Sequence, residues 1–240
     1  MEKTFTKFSK KEYAFTLAEI LITLGIIGIV AAMTIPTLIS NYQKQQTVVK
    51  LKETYSQLAQ AIKMSEYDNG ELSGWDLDGA NWFDKYLAKY LKGSEEDWKV
   101  TKSTPYKETS GEKETGLAIL TNDSTSFVLL NGVQILTLKG ASNDFKNRRG
   151  ILIDINGAKT KPNKLGRDAF YFVISNEYGL IPVGKYKTSE CTPPINGNPG
   201  RDYLKNTTCL RYACNKESRG LYCAALIITD GWTIAKDYPW

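Results

Sequence analysis

The chain has 240 residues, 42% hydrophobic and 24% charged, ordinary globular usage that excludes wholesale disorder and collagen-like structure. It contains no histidine, which removes Ser-His-Asp and Cys-His catalysis, His-ligated zinc or haem, and any imidazole pH switch. A formal net charge of +5 is too mild to imply nucleic acid by itself.

In chain order, the first strong signal is the run from Ile20 to Ile39, ILITLGIIGIVAAMTIPTLI, which carries no charge. As a helix at about 1.5 Å per residue it spans about 30 Å, the thickness of a bilayer's hydrocarbon core. Three kinds of membrane segment compete. A secretory signal would use Lys3, Lys7, Lys10 and Lys11 as its basic region and Val30-Ala31-Ala32 as its cleavage site. The apolar run continues past that site, which a cleaved signal does not require. A plain signal anchor accounts for the length but has no use for Glu19 at the mouth of the segment or Pro36 near its far end.

The string Ala14-Phe15-Thr16-Leu17-Ala18-Glu19 accounts for both. It resembles the processing site of the type IV pilin and type II secretion pseudopilin family. There a short basic leader is cut before a Phe, a Glu follows four residues later, and the new Phe amine is methylated. Pro36, twenty-one residues after Phe15, matches the proline that interrupts the helix of many type IV pilins. One position departs: Ala14 stands where Gly is usual, and another small residue fits a tight peptidase subsite. The resemblance implies cleavage after Ala14 and methylation at Phe15. It also implies that Glu19 pairs with the Phe15 amine of a neighbouring subunit.

Physical chemistry asks independently for a partner at Glu19, because a carboxylate just inside hydrocarbon is costly unless paired. The plainer alternative places Glu19 hydrated at headgroup level. Pro36 removes a backbone donor and clashes with the preceding turn, so a bend or a locally melted stretch is expected there. The lysines flanking the span differ little in number and leave orientation weakly defined. Four cysteines beyond it suggest an oxidising compartment, hence the amino end in the cytoplasm and the body outside.

Beyond Ile39, Val48, Leu51, Tyr55, Leu58 and Ile62 recur at gaps of three and four, one stripe of an amphipathic helix continuing to about Glu66. Asp68-Asn69-Gly70 ends it. A short helix is expected from Trp82 to Leu91, then a mobile polar loop over 101–115. Strands are expected at Gly116–Leu120, Thr125–Leu130, Val133–Leu138, Gly150–Ile155, Ala169–Ser175 and Leu180–Val183, forming an antiparallel sheet. Asn131-Gly132 signals a tight hairpin in which both turn residues take positive φ. A final strand is expected at Leu221–Thr229. The fold class is therefore α+β: a long N-terminal helix, half membrane-embedded and half amphipathic, packed on an antiparallel sheet head with a disulfide-rich C-terminal loop region. The segments run 1–14 (cleaved leader), 15–39 (membrane and assembly helix), 40–66 (amphipathic continuation) and 67–240 (head).

Asp154, Asn156 and Asp168 are oxygen donors around an Asp-x-Asn-Gly start resembling a calcium loop. Lysines fill the interval and no bidentate Glu follows. A tight turn explains the same residues without further assumption, leaving calcium as the secondary reading and no cofactor as the primary one. Lys146, Arg148, Arg149, Lys159, Lys161, Lys164 and Arg167 read as a solvated loop face ahead of a DNA-contacting patch. Cys191, Cys209, Cys214 and Cys223 allow three pairings. The nearest-neighbour set, Cys191–Cys209 with Cys214–Cys223, leaves short loops, and the resemblance fits a C-terminal disulfide loop stapled to the sheet.

No nucleophile, base and oxyanion site assemble in the head, so the expectation is a structural subunit rather than an enzyme. The resemblance implies a bacterial inner-membrane precursor, single-pass with an extracytoplasmic head, and a cell-surface or periplasmic filament after assembly. Its implied partners are other pilin-like subunits in a helical filament, the prepilin peptidase and N-methyltransferase, the inner-membrane assembly platform, and membrane lipid before assembly. Two other readings stand beside the pilus: a minor pseudopilin of a type II secretion system, and an anchored extracytoplasmic binding domain that never assembles.

Overall fold

The computed structural model describes residues 16–79, 81–95, 106–111, 125–138, 148–185 and 199–240. The leader, Ala14, Phe15, Cys191 and the strand expected at Gly116–Leu120 lie outside these residues. The chain divides into two compact units, residues 1–43 and 44–240.

The described part of the first unit is helical. Helix α1 covers Leu17–Asn69, and up to Gln43 its side chains meet almost nothing. Leu17, Leu21, Ile22, Ile27, Met33 and Leu38 are each more than 60% exposed. An apolar helix left bare in this way needs lipid or other helices around it, and it is long and apolar enough to cross a membrane. The locally melted stretch expected at Pro36 is absent. The helix runs through the proline, since losing one donor does not abolish the i→i−4 bonds on either side.

In the second unit the predicted stripe is present. Leu51, Leu58 and Ile62 are buried, with Val48 and Tyr55 half-buried against the core. Small polar residues share that face: Thr47, Thr54 and Ser65 are buried too. Thr54 hides its hydroxyl by donating to the Lys50 carbonyl at 2.8 Å, and Ser65 Oγ accepts from Asn69 Nδ2 at 3.0 Å. With their polar atoms satisfied, these short side chains let α1 lie close to the sheet.

Six strands form one antiparallel meander in sequence order: β1 (Gly93–Glu95), β2 (Ser126–Leu129), β3 (Gln134–Leu138), β4 (Arg148–Asp154), β5 (Ala169–Ser175) and β6 (Gly179–Pro182). Every residue of β5 is buried, so both faces of the sheet are covered there. Tyr55 of α1 meets Phe172 of β5 with ring centroids 5.7 Å apart. Helix α2 (Trp82–Tyr86) and a 3₁₀ turn at Ala88–Tyr90 replace the single short helix expected from Trp82 to Leu91, and they lead into the unforeseen β1.

The β2–β3 connection differs in detail from expectation. Leu129 N–H donates to the Val133 carbonyl at 2.8 Å, closing a three-residue loop of Leu130, Asn131 and Gly132. Of the pair Asn131-Gly132 only Gly132 has positive φ (81°), the pattern of a turn followed by a left-handed residue rather than a two-residue hairpin.

The largest correction lies near the C-terminus. The expected strand at Leu221–Thr229 is a helix, α4 (Cys223–Thr229), preceded by α3 (Arg201–Asn206) and packed on β5. A continuous apolar run does not distinguish a buried strand from a buried helix by period. Here Ala224, Ala225 and Leu226 favour helix, and the Cys214–Cys223 bridge ties its first turn to the preceding loop.

Candidate functional site

Glu19 sits in the first turn of α1 and is held there by Thr16. Its Oε2 accepts from the Thr16 backbone N–H and from the Thr16 hydroxyl, both at 2.8 Å. The Thr16 hydroxyl in turn accepts from Glu19 N–H at 3.2 Å. This is a reciprocal capping box, satisfying helix N–H groups that have no carbonyl of their own. The Thr-x-x-Glu spacing is the signal of this cap in the sequence, where Glu19 is expected either to pair with a neighbouring subunit or to sit hydrated at headgroup level. Oε1 takes no hydrogen bond among the described residues, so the cap leaves one carboxylate oxygen available. Further along, nothing lies within 4 Å of where a side chain would start at Gly25 or Gly28, so a neighbouring helix has room to approach.

The three candidate calcium residues do come together. Asp154 is fully buried; its Oδ2 accepts from the Tyr106 hydroxyl at 2.9 Å and its Oδ1 from Asn156 N–H at 3.1 Å. Asp168, 3% exposed, accepts from Asn163 N–H at 2.7 Å and Lys164 N–H at 2.5 Å. Burial, reinforced by the Asp168 carboxylate, pushes the Asp154 carboxyl up to about 7. Asp168 is also raised by burial, against the pull of its backbone donors. Among the described residues no group of three or more acidic or cysteine ligands converges. Asp154 and Asp168 thus organise the loop between β4 and β5 and tie it to the segment carrying Tyr106. Lys107 N–H donates to Asn163 O and Leu165 N–H to Lys107 O.

Residues 37–240 match the model of a family of unknown function (DUF6613). The chain belongs to that family. Residues 9–35 of this DUF6613 chain match the prokaryotic N-terminal methylation motif, the prepilin-type motif of type IV pilins and pseudopilins. No match was found among curated proteins or among solved structures. The motif makes the chain a type IV pilin-like or pseudopilin-like protein.

The Cys214–Cys223 bridge expected in the DUF6613 chain is formed, with Cα atoms 4.8 Å apart. Cys209 is disulfide-bonded as well, and the expected Cys191–Cys209 pairing lies outside the described residues. Lys146 lies outside the described residues, and the other six residues of the basic group do not form one patch. Arg149 is 5% exposed, donates from Nε to the Leu77 carbonyl and faces Asp78 at 3.8 Å. Arg148 pairs with Glu177 at 3.5 Å and stacks over Tyr178. Lys159, Lys161, Lys164 and Arg167 lie beyond the opposite end of β4, about 20 Å away at the rise of a strand.

Proposed function

We propose that this protein is a structural subunit of a type IV pilus or closely related filament, processed after Ala14, methylated at Phe15 and polymerised through α1. The observation that carries this reading is the methylation motif running straight into a bare apolar helix whose Glu19 is already fixed in place. In the precursor the helix anchors the chain in the membrane, with the head outside. In the filament the same apolar surface is buried between subunits, which exchanges lipid contact for protein contact without exposing it to water. The open Oε1 of Glu19 then receives the methylated amine of a neighbouring Phe15, neutralising both charges in an apolar core. The head, with strand β5 covered on both faces and a disulfide at the start of α4, serves as a rigid outward body. Its role is structural rather than catalytic.

The intact mass of the protein from membrane and sheared-surface fractions of its native host tests this. Residues 15–240 plus one methyl group, less two hydrogens per disulfide, is the expected mass in both fractions. The mass of all 240 residues, or a start at Met33, would remove the filament reading. Presence in the surface fraction favours a pilus, whereas a processed subunit confined to the envelope whose deletion blocks protein secretion favours the pseudopilus.

A further inference from the structure

The cations that the filament reading leaves unused gather at one end of the head, together with two tryptophans. Lys44 lies over the Trp240 ring at 5.9 Å, Lys52 over the Trp232 ring at 5.9 Å, and Arg167 over Trp240 at 5.5 Å. Trp232 also contacts Tyr55 of α1, with ring centroids 5.6 Å apart. Lys44, Val48, Lys52 and Tyr55 follow helical spacing, so the C-terminal segment from Trp232 to Trp240 lies along one side of the early part of this unit's helix. Lys50 donates to the Ile155 carbonyl at 3.2 Å, which brings the loop carrying Lys161 and Arg167 to the same end.

The acids of this end are withdrawn. Asp154 and Asp168 are buried in the loop. Asp237 is held by Arg201, at 2.8 and 2.5 Å, and by Lys205, while Asp230 pairs with Arg201 at 2.8 Å. Among the described residues no carboxylate pairs with Lys44, Lys52, Lys161, Arg167 or Lys236. The result is a surface of half-exposed indole rings and unneutralised cations.

Chain connectivity limits how far Lys44 can lie from the apolar run. Lys44 is five residues after Ile39, the last residue of the apolar run, so even a fully extended chain keeps it within about 17 Å of that residue. Tryptophan with lysine and arginine is the composition that settles at a bilayer's interface, the ring at headgroup level and the cation toward phosphate.

We propose that this end of the head is a docking surface for anionic phospholipid headgroups, engaged by the membrane-anchored subunit before assembly. The proposal rests on the membrane-anchor part of the filament reading. Trp232 and Trp240 enter the interfacial layer, while Lys44, Lys52, Lys161 and Arg167 bind phosphates. Leaving the membrane for a filament then requires releasing this contact as well as extracting the helix.

The full chain is reconstituted into nanodiscs of phosphatidylcholine, with or without an equal share of phosphatidylglycerol. Both carry a nitroxide on the headgroup, and tryptophan fluorescence quenching is read. The W232F/W240F double variant isolates the component from these two rings. The expected result is a quenched component that is absent from W232F/W240F. It should be at least twofold larger with phosphatidylglycerol, and at least halved by 500 mM salt or by K44E/K52E/R167E. A protein that co-elutes with the discs but shows no such component, or one indifferent to lipid charge and salt, overturns the docking surface while leaving the anchor intact. Failure to co-elute overturns the anchor and the docking surface together. Shielding seen only when several copies share a disc would assign the face to a second copy instead.

Discussion

Thr16 and Glu19 close the first turn of α1 on each other through three hydrogen bonds of 2.8, 2.8 and 3.2 Å. The carboxylate expected to meet a neighbour is therefore positioned within its own chain first. Fixing it reduces the conformational freedom that pairing would otherwise have to remove. Two substitutions separate cap from charge. Glu19→Gln keeps an acceptor for Thr16 but loses the charge, and is expected to lower surface-filament incorporation more than tenfold with membrane location unchanged. Thr16→Ala keeps the charge but removes the hydroxyl, a cap worth about 1 kcal/mol, so incorporation should fall only about fivefold. Quantifying the protein in sheared-surface against membrane fractions reads both. A larger loss for Thr16→Ala than for Glu19→Gln would mean that the cap, not the charge, is what assembly requires.

The buried pair Asp154 and Asp168 makes stability depend on pH in an unusual direction. Asp154 titrates at about 7 in the folded head, against an ordinary carboxyl value of 3.8. Between these limits the native state binds the proton that the unfolded chain has released. Stability is therefore fully present below about pH 4, falls as pH rises through 7, and is flat above. The associated loss is on the order of a few kcal/mol. Thermal melts from pH 4.5 to 8 should show a declining Tm for the native protein and a flatter profile for Asp154→Asn. Parallel profiles would place the titration elsewhere.

Gly220 has φ of +84°, and a Cβ there would come within 1.5 Å of the Thr109 hydroxyl oxygen. Gly220→Ala is thus strained in backbone and side chain alike. The combined cost is roughly 2–4 kcal/mol, or a Tm lowered by about 5–10 °C. Adding Thr109→Ala should restore part of this, and a melt of the double variant no better than the single one would assign the whole cost to φ.

The Cys214–Cys223 bridge closes a loop with a sequence separation of 9 and anchors the first turn of α4. By loop-closure entropy it contributes about 3 kcal/mol. The Cys214→Ala/Cys223→Ala variant should therefore unfold at lower denaturant with an unchanged m-value. A lowered m-value would show that the native state buries less surface, the result expected if α4 no longer docks on β5.

What the sequence by itself determined is local in origin. Ala14-Phe15 and Glu19 belong to one contiguous string, and the methylation motif it matches is defined along the chain rather than in space. The apolar run needs only its length, and the stripe from Val48 to Ile62 needs only helical period. Strands β4 and β5 were legible because β-branched and aromatic residues cluster between turn-forming loops. Tertiary structure decided the rest. The apolar run Leu221–Thr229 did not by its period distinguish helix from strand, and in the structure it packs as a helix on β5, which already has strand partners on both edges. The three residues of β1 became a strand only because Gly93 lets the Val128 carbonyl approach where a Cβ would stand at 2.2 Å. Seven basic residues looked like one group because they are neighbours in sequence. A strand of seven residues carries the chain to the far end of the sheet, so Arg149 is buried at one end while Arg167 lies over Trp240 at the other. Sequence proximity fixes neither end nor face, because a strand separates what it connects and packing joins what the chain keeps far apart.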